Sequence, residues 1–389
     1  MTTILDYANV LTPTHVLERS AVIVSDEGRI AYVGPMEDAP QVDGLRLDMR
    51  GKFVVPGFIN VHVHGGNGIT FGNMDALAEE LDAYSHFAAE NGVTGFLASI
   101  TAPSGKEITD MIAAYVPIFE RGVSGAEALG LHLEGPYMNV ERKGAQNPDW
   151  IHDPDLDEAR GFLEAGKGWI HQMTIAPELP NAQEVAALFR REGVVNAVAH
   201  STAGYEIARD AFLGDWTHVT HTFNAQTGLH HRKPGLVGAL MGSDDVTAEL
   251  IADEIHVHPG AMKALLRALG SDRIVLITDA MEAAGLPEGQ YSLLGHEIIV
   301  KDGSARLADG TLAGSAARMN HCIRNVHHDV DVSLADAVKM ATLNPARAMG
   351  FSNRLGSIAI GKDASLAVID DDVNVFLTMV KGRIVYNTL

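Results

Sequence analysis

Six side chains able to ligate a metal ion stand in positions that suit a hydrolytic centre: His62, His64, Glu134, His200, His221 and Asp279. The first two form a His-x-His pair in Asn60-Val61-His62-Val63-His64-Gly65, and residues two apart on a strand project to the same side. Each of the others closes an apolar run, as in Leu131-His132-Leu133-Glu134 and Leu276-Ile277-Thr278-Asp279. Imidazole with carboxylate suits Zn²⁺, Fe²⁺, Mn²⁺ or Co²⁺. Such an ion can bring the pKa of bound water down to about 7 and polarise a carbonyl or phosphoryl oxygen. Taken singly, each residue has a plainer reading, since a histidine at a strand end is more often a hydrogen-bonded core residue than a ligand. The case rests on all six falling at the ends of successive strand-like segments.

Those segments define the fold. Between residues 56 and 355, strand-like runs at 58–63, 93–100, 129–133, 169–175, 194–199, 218–221, 248–252 and 274–277 alternate with helix-like runs. Examples of the latter lie at 76–91, 181–192, 205–213 and 259–269. Eight βα-like units in that length predict an α/β fold with a (β/α)₈ TIM-like barrel, whose active site lies at the C-terminal ends of its strands. The two ends of the chain read differently. Short β-runs at 21–24 and 29–33, and again at 364–369, 373–380 and 384–386, predict a small β-sandwich domain built from residues 1–55 and 356–389. Residues 56–355 are expected to form the metal-binding barrel domain. His132 reads as a packed core histidine, Glu178 as a supporting carboxylate and Cys322 as the core of a helix.

Net charge is −21, from 50 acidic and 29 basic residues, which disfavours nucleic acid and anionic lipid as partners. An anionic small substrate would need a local cationic cluster, and His230-His231-Arg232-Lys233 is the densest one near the motifs. The single cysteine excludes a disulfide or thiolate metal site within the chain. The first residues lack a cationic segment followed by an apolar core, and no apolar run nears the ~18 residues of a membrane helix, so a soluble cytoplasmic protein with no membrane partner is expected.

The run Val55-Pro56-Gly57-Phe58-Ile59-Asn60-Val61-His62-Val63-His64-Gly65 resembles the opening strand of the amidohydrolase superfamily. Further segments narrow the likeness to the N-acetylglucosamine-6-phosphate deacetylase family. They include Leu133-Glu134-Gly135-Pro136, Lys143-Gly144-Ala145-Gln146-Asn147-Pro148, Thr222-Phe223-Asn224-Ala225, Arg232-Lys233-Pro234-Gly235, Ala252-Asp253-Glu254-Ile255-His256 and Leu312-Ala313-Gly314-Ser315. The resemblance implies that Glu134, His200 and His221 hold one divalent ion and that His62 and His64 form a second position, with Asp279 as the catalytic acid/base and a further ligand. One or two ions are expected, zinc foremost, with iron, manganese or cobalt as alternatives. Ala145 and Gln146 would touch the sugar near its acetamide, and Asn224, Ala225 and His256 the sugar and phosphate. Leu312, Ala313 and Gly314 would line the acetyl end, and Arg232 would reach the neighbouring active site of a homodimer. This chain has Gln146 where some members carry a carbonyl-polarising histidine; the intact His-x-His pair implies that a second ion supplies that polarisation instead.

The implied reaction is removal of acetate from N-acetyl-D-glucosamine 6-phosphate, giving D-glucosamine 6-phosphate, in amino-sugar catabolism or cell-wall recycling. Asp279 would take a proton from ion-held water and deliver it to the departing nitrogen. The galactosamine epimer is an alternative substrate. Another amidohydrolase activity, on cyclic amides or N-acyl amino acids, is disfavoured because those enzymes usually carry a bridging modified lysine. A catalytically dead scaffold is disfavoured because all six ligand positions are filled.

Overall fold

A computed structural model describes residues 1–13, 15–293 and 295–389. Eight parallel strands follow one another around the barrel in chain order: Phe58–Asn60, Val93–Ile100, Glu127–Glu134, Ile170–Thr174, Val195–Val198, Trp216–Val219, Thr247–Ile251 and Ile274–Ile277. Their segments read as nearly continuous apolar runs because helices cover the outside while side chains fill the inside; every residue of Val93–Ile100 is buried. The seam between the first and last strands is closed by two backbone bonds, from Asp279 N–H to His62 O (3.0 Å) and from His64 N–H to Ala280 O (2.8 Å). Asn60 reinforces it by donating to the Thr278 hydroxyl at 2.7 Å. The seam therefore runs through the candidate site.

The helices start where local chemistry permits. Ser104 accepts the Glu107 N–H to open Gly105–Arg121, and Asp155 accepts two N–H groups to open Leu156–Gly166. Inside the barrel, Ile59, Val61, Leu97, Leu129, Ile251, Val275 and Ile277 pack with Ala346, Met349 and Leu355 from the chain beyond the last barrel strand. That apolar layer is a floor. Above it the inward positions turn polar, and the site begins there.

Strands from both ends of the chain share one further sheet, in the order Arg383–Asn387, Val375–Val380, Leu366–Ile369, Phe53–Pro56, Thr3–Leu11, Val16–Val24 and Ile30–Pro35, with Leu45–Asp48 also pairing with Thr3–Leu11. The hydrogen-bonded path is continuous, and its apolar face gathers a core of its own around Leu5, Val22, Val54, Leu366 and Leu377. One element went unforeseen. After the last barrel strand, Gly289–Leu293, His296–Lys301 and Ser304–Arg306 form a separate antiparallel sheet. The Asp302-Gly303 pair that turns between its second and third strands is the hairpin signal for it in the sequence.

Candidate active site

Four of the six expected ligands lie two residues beyond the last paired residue of their strand. These are His62 after Asn60, His200 after Val198, His221 after Val219 and Asp279 after Ile277; Glu134 is itself the last residue of the third strand. His62 and His64 are thus not on the strand proper, because their backbone has turned to pair across the seam. His200, His221 and Asp279 adopt left-handed backbone with φ of 48°, 28° and 50°. Side-chain-bearing residues reach that region at a cost of about 1–3 kcal/mol each, a strain that recurs where function fixes an orientation. Neighbouring backbone bonds hold it here: Asn139 N–H donates to His200 O (2.8 Å), Asn224 N–H to His221 O (3.0 Å) and Ser315 N–H to Asp279 O (2.8 Å).

The result is two buried groups, His62 with His64 and Asp279, and Glu134 with His200 and His221. Within them, His62 Nε2 stands 3.3 Å from His64 Nε2, and His221 Nε2 3.1 Å from His200 Nε2. Glu134 joins the groups. Its Oε1 lies 3.1 Å from His221, 3.4 Å from His200 and 3.4 Å from His62, while Oε2 lies 3.1 Å from His64. Asp279 Oδ1 lies 3.4 Å from His62 Nε2 and 3.3 Å from His64 Nε2. Tetrahedral ligands about 2.0–2.1 Å from a shared centre stand about 3.3–3.4 Å apart, so this donor set fits divalent ions with nitrogen and oxygen ligands.

The surroundings orient these groups. His200 Nδ1 donates to Arg142 O at 2.7 Å, and Gly144 passes so close to the same ring that a Cβ there would stand 3.3 Å from His200 Cε1. Gln146 donates its amide to Glu134 Oε2 at 3.0 Å, which gives that departure from the family pattern a role in holding the carboxylate. His132 bonds Ser99 and Thr174, both at 2.9 Å, and is a satisfied core histidine, while Glu178 accepts from Asn139, Ser201 and Thr202. Buried Cys322 lies in the helix Met319–His328.

Burial pushes the Glu134 carboxyl up, but the charge of His62 and hydrogen bonds from the three histidines outweigh it and hold the group well below the usual carboxylate range. Asp279 is likewise lowered, burial being outweighed by His62 and His64. Burial pulls the His64 ring down, yet Asp279 and Glu134 carry it up to about 9. The ion-free site therefore holds protons that an arriving cation displaces. Below pH 9 His64 is protonated, so apparent metal affinity rises with pH across 6–9, by up to about tenfold per unit for one displaced proton. Competition titrations with a chelator at several pH values measure it, and a pH-independent affinity would contradict this picture.

A cavity of about 290 Å³ opens above the six residues. Of the expected substrate contacts, Ala145, Gln146, Asn224, Ala225, His256, Leu312 and Gly314 line it. Ala313 lies behind them, fully buried with Met281 and Ile298. Arg232 is exposed and outside the cavity of its own chain, with Nη1 2.6 Å from His231 Nε2. His256 is held by Asp253, whose Oδ2 meets Nδ1 at 2.6 Å; burial pulls that ring down, but Asp253 and Asp279 raise it above its ordinary value. Some contributors were not foreseen. Arg142 and Leu293 line the cavity, and the buried Glu249 bonds His62 Nδ1 at 2.9 Å from beneath.

The amidohydrolase family model matches residues 53–385, which takes in every barrel strand. The chain is 35% identical over 383 residues to the N-acetylglucosamine-6-phosphate deacetylase of Bacillus subtilis, a match covering 97% of this chain and 95% of the relative. The chain belongs to the amidohydrolase family, in its N-acetylglucosamine-6-phosphate deacetylase branch. Branch members differ in the sugar they are named for, since an N-acetylgalactosamine-6-phosphate deacetylase of Escherichia coli O157:H7 is also 35% identical, over 95% of this chain and 99% of its own. Among solved structures of the family, a Mycobacterium smegmatis N-acetyl-D-glucosamine-6-phosphate deacetylase carries an aspartate-to-alanine substitution and holds N-acetyl-D-glucosamine-6-phosphate. It aligns with a TM-score of 0.91 at 34% identity, covering 100% of this chain and 99% of that one.

Proposed function

We propose that this chain hydrolyses the acetamide of N-acetyl-D-glucosamine 6-phosphate, releasing acetate and D-glucosamine 6-phosphate, in amino-sugar catabolism or cell-wall recycling. The observation that carries the reading is the sharing of Glu134 between two ligand groups, with Asp279 in one of them, at the bottom of a cavity large enough for a phosphorylated sugar. When bound, a divalent ion there, zinc foremost, supplies an acidified water and an electrophilic carbonyl.

The chain's own groups do the rest. Asp279 Oδ1 takes the proton that water sheds as it attacks the acetyl carbon and returns it to the nitrogen as the C–N bond breaks. Water's remaining oxygen stays with the acetate, and the amine leaves neutral. Leu293, Leu312 and Gly314 give the cavity an apolar wall suited to the acetyl methyl. At the polar side, the raised His256 ring, Asn224 and the backbone at Ala225 suit the phosphate.

Arg232 completes that anion site from the partner subunit of a homodimer, which accounts for its exposure in a single chain. Arg232→Ala is expected to raise KM for the 6-phosphate by about 10–100-fold, the worth of one charge-assisted bidentate contact. Turnover of the unphosphorylated sugar should stay within about twofold. An equal effect on both substrates removes the phosphate role. The work is assigned to the cytoplasm, and no described helix is long and apolar enough to cross a membrane.

Acetate release from N-acetylglucosamine 6-phosphate tests the whole reading. The comparison set is its galactosamine epimer, both unphosphorylated sugars, hydantoin, dihydroorotate and N-acetyl amino acids, each with metal-loaded protein. The gluco 6-phosphate should give the highest kcat/KM; a faster cyclic amide, or no acetate from any sugar phosphate, overturns it.

A further inference from the structure

Glu249 sits fully buried within the seventh barrel strand, Thr247–Ile251, directly beneath the ligand groups. Four groups converge on its carboxylate. The His221 backbone N–H (3.0 Å) and His62 Nδ1 (2.9 Å) reach Oε2, while Gln172 Nε2 (2.7 Å) and His218 Nε2 (3.2 Å) reach Oε1. The two amide nitrogens can only donate, and an ionised carboxylate can only accept. The bond to His62 Nδ1 is therefore an N–H donated to Glu249. That choice leaves Nε2, the atom that faces His64, Glu134 and Asp279, as the nitrogen whose lone pair an arriving cation takes up once the proton there is displaced. With its proton on Nε2 instead, His62 would present N–H where a cation must be held.

We propose that Glu249 is the positioning residue that fixes the His62 tautomer and so creates the second ion position, that of His62, His64 and Asp279. Glu249 does not line the substrate cavity and is not among the ligand groups, so its action passes through His62. Its reach is selective. For the Glu134, His200 and His221 group it provides one N–H acceptor, and the His221 backbone keeps its bond from Asn224 and the adjoining Thr222 N–H its bond to Glu249 O. The inference rests on the metal-hydrolase reading and deepens it by naming what would let this chain hold two ions instead of one.

The charge and the acceptor geometry are separable. In Glu249→Gln the amide oxygen can still face His62 and His221. Its NH₂ would then face Gln172, whose own Oε1 has no partner among the described residues and can turn to accept. Glu249→Leu removes the acceptor altogether.

Zinc titration of ion-free protein, with elemental analysis after dialysis, reads the difference. Wild type is expected to hold two ions. Glu249→Leu should weaken the second by about 10–100-fold, the usual effect of losing such a partner, with the first changed by less than about tenfold. Glu249→Gln should retain most of the second-ion affinity. Two ions held as tightly by Glu249→Leu as by wild type, or both ions weakened alike, overturn the proposal. A wild-type chain that binds a single ion overturns it and leaves hydrolysis standing, whereas one that binds none defeats the functional reading itself. Should the leucine variant not fold, nitrogen-15 spectra of zinc-loaded wild type decide: a slowly exchanging His62 Nδ1 proton is expected, and its absence overturns the assignment.

Discussion

Asp279→Asn is expected to lower kcat for N-acetylglucosamine 6-phosphate by roughly 10³–10⁴-fold while KM moves no more than about threefold, at the upper end of what a positioned acid–base group supplies. The substitution keeps the size of the side chain and its backbone ties, from Asp279 N–H to His62 O and from Ser315 N–H to Asp279 O. What disappears is the carboxylate that faces only His62 and His64 and is not shared between the two ligand groups, and with it the proton acceptor and donor of the proposed reaction. Asp279 suits the task because His62 and His64 hold its carboxyl low despite burial, so it is ionised and ready to accept at neutral pH. The cavity residues proposed to face the phosphate, Asn224, Ala225 and His256, are untouched, so binding should persist, and calorimetric titration of the variant with intact substrate checks it. Loss of binding in step with loss of turnover would move Asp279 from chemistry to substrate recognition.

The barrel was legible in the sequence because a parallel strand buried on both faces writes itself as an unbroken apolar run. The second and eighth strands match their expected limits, and the helices at Tyr205–Leu213 and Pro259–Leu269 do so as well. The six candidate ligand positions were legible because each interrupts such a run with imidazole or carboxylate at its C-terminal end. What escaped is equally physical. The sheet at 289–306 alternates apolar and polar residues only briefly, since its short strands pack on Met281 and Ala313 and not on a full barrel layer. Glu249 was not legible as a site residue because it stands mid-strand in Thr247-Ala248-Glu249-Leu250-Ile251, where its neighbour two residues on, Ile251, belongs to the barrel floor. A charge inside a buried strand demands partners, and that demand is itself a signal. Arg142 carries no comparable mark, because an arginine closing a short helical turn such as Val140–Arg142 is ordinarily a solvated one.

Glu134→Gln should remove both ions together, and this separates a shared ligand from a ligand of one group. Its two oxygens face different partners, Oε1 toward His62, His200 and His221 and Oε2 toward His64. The amide keeps one oxygen but turns the other position into N–H₂, which cannot ligate and meets imidazole nitrogens that are themselves poised as ligands. It also removes one of the two negative charges, with Asp279, that offset the cations within the site. Elemental analysis is expected to find little metal, and turnover should fall by at least about 10⁴-fold, equivalent to roughly 5.5 kcal/mol of lost transition-state stabilisation. Stability supplies an independent readout. Free metal at about a thousand times its dissociation constant stabilises a folded chain by about 4 kcal/mol, so wild type should melt several degrees lower after chelation. The variant's melting temperature should ignore chelator and added zinc alike. In ion-free form it should be less stable than wild type at neutral pH, because the surrounding histidines more than offset the burial of the ionised carboxylate and the amide loses that attraction. A variant that loses one ion and keeps the other would show that Glu134 serves a single group, and the two-ion arrangement would have to be rebuilt around His200 and His221 alone.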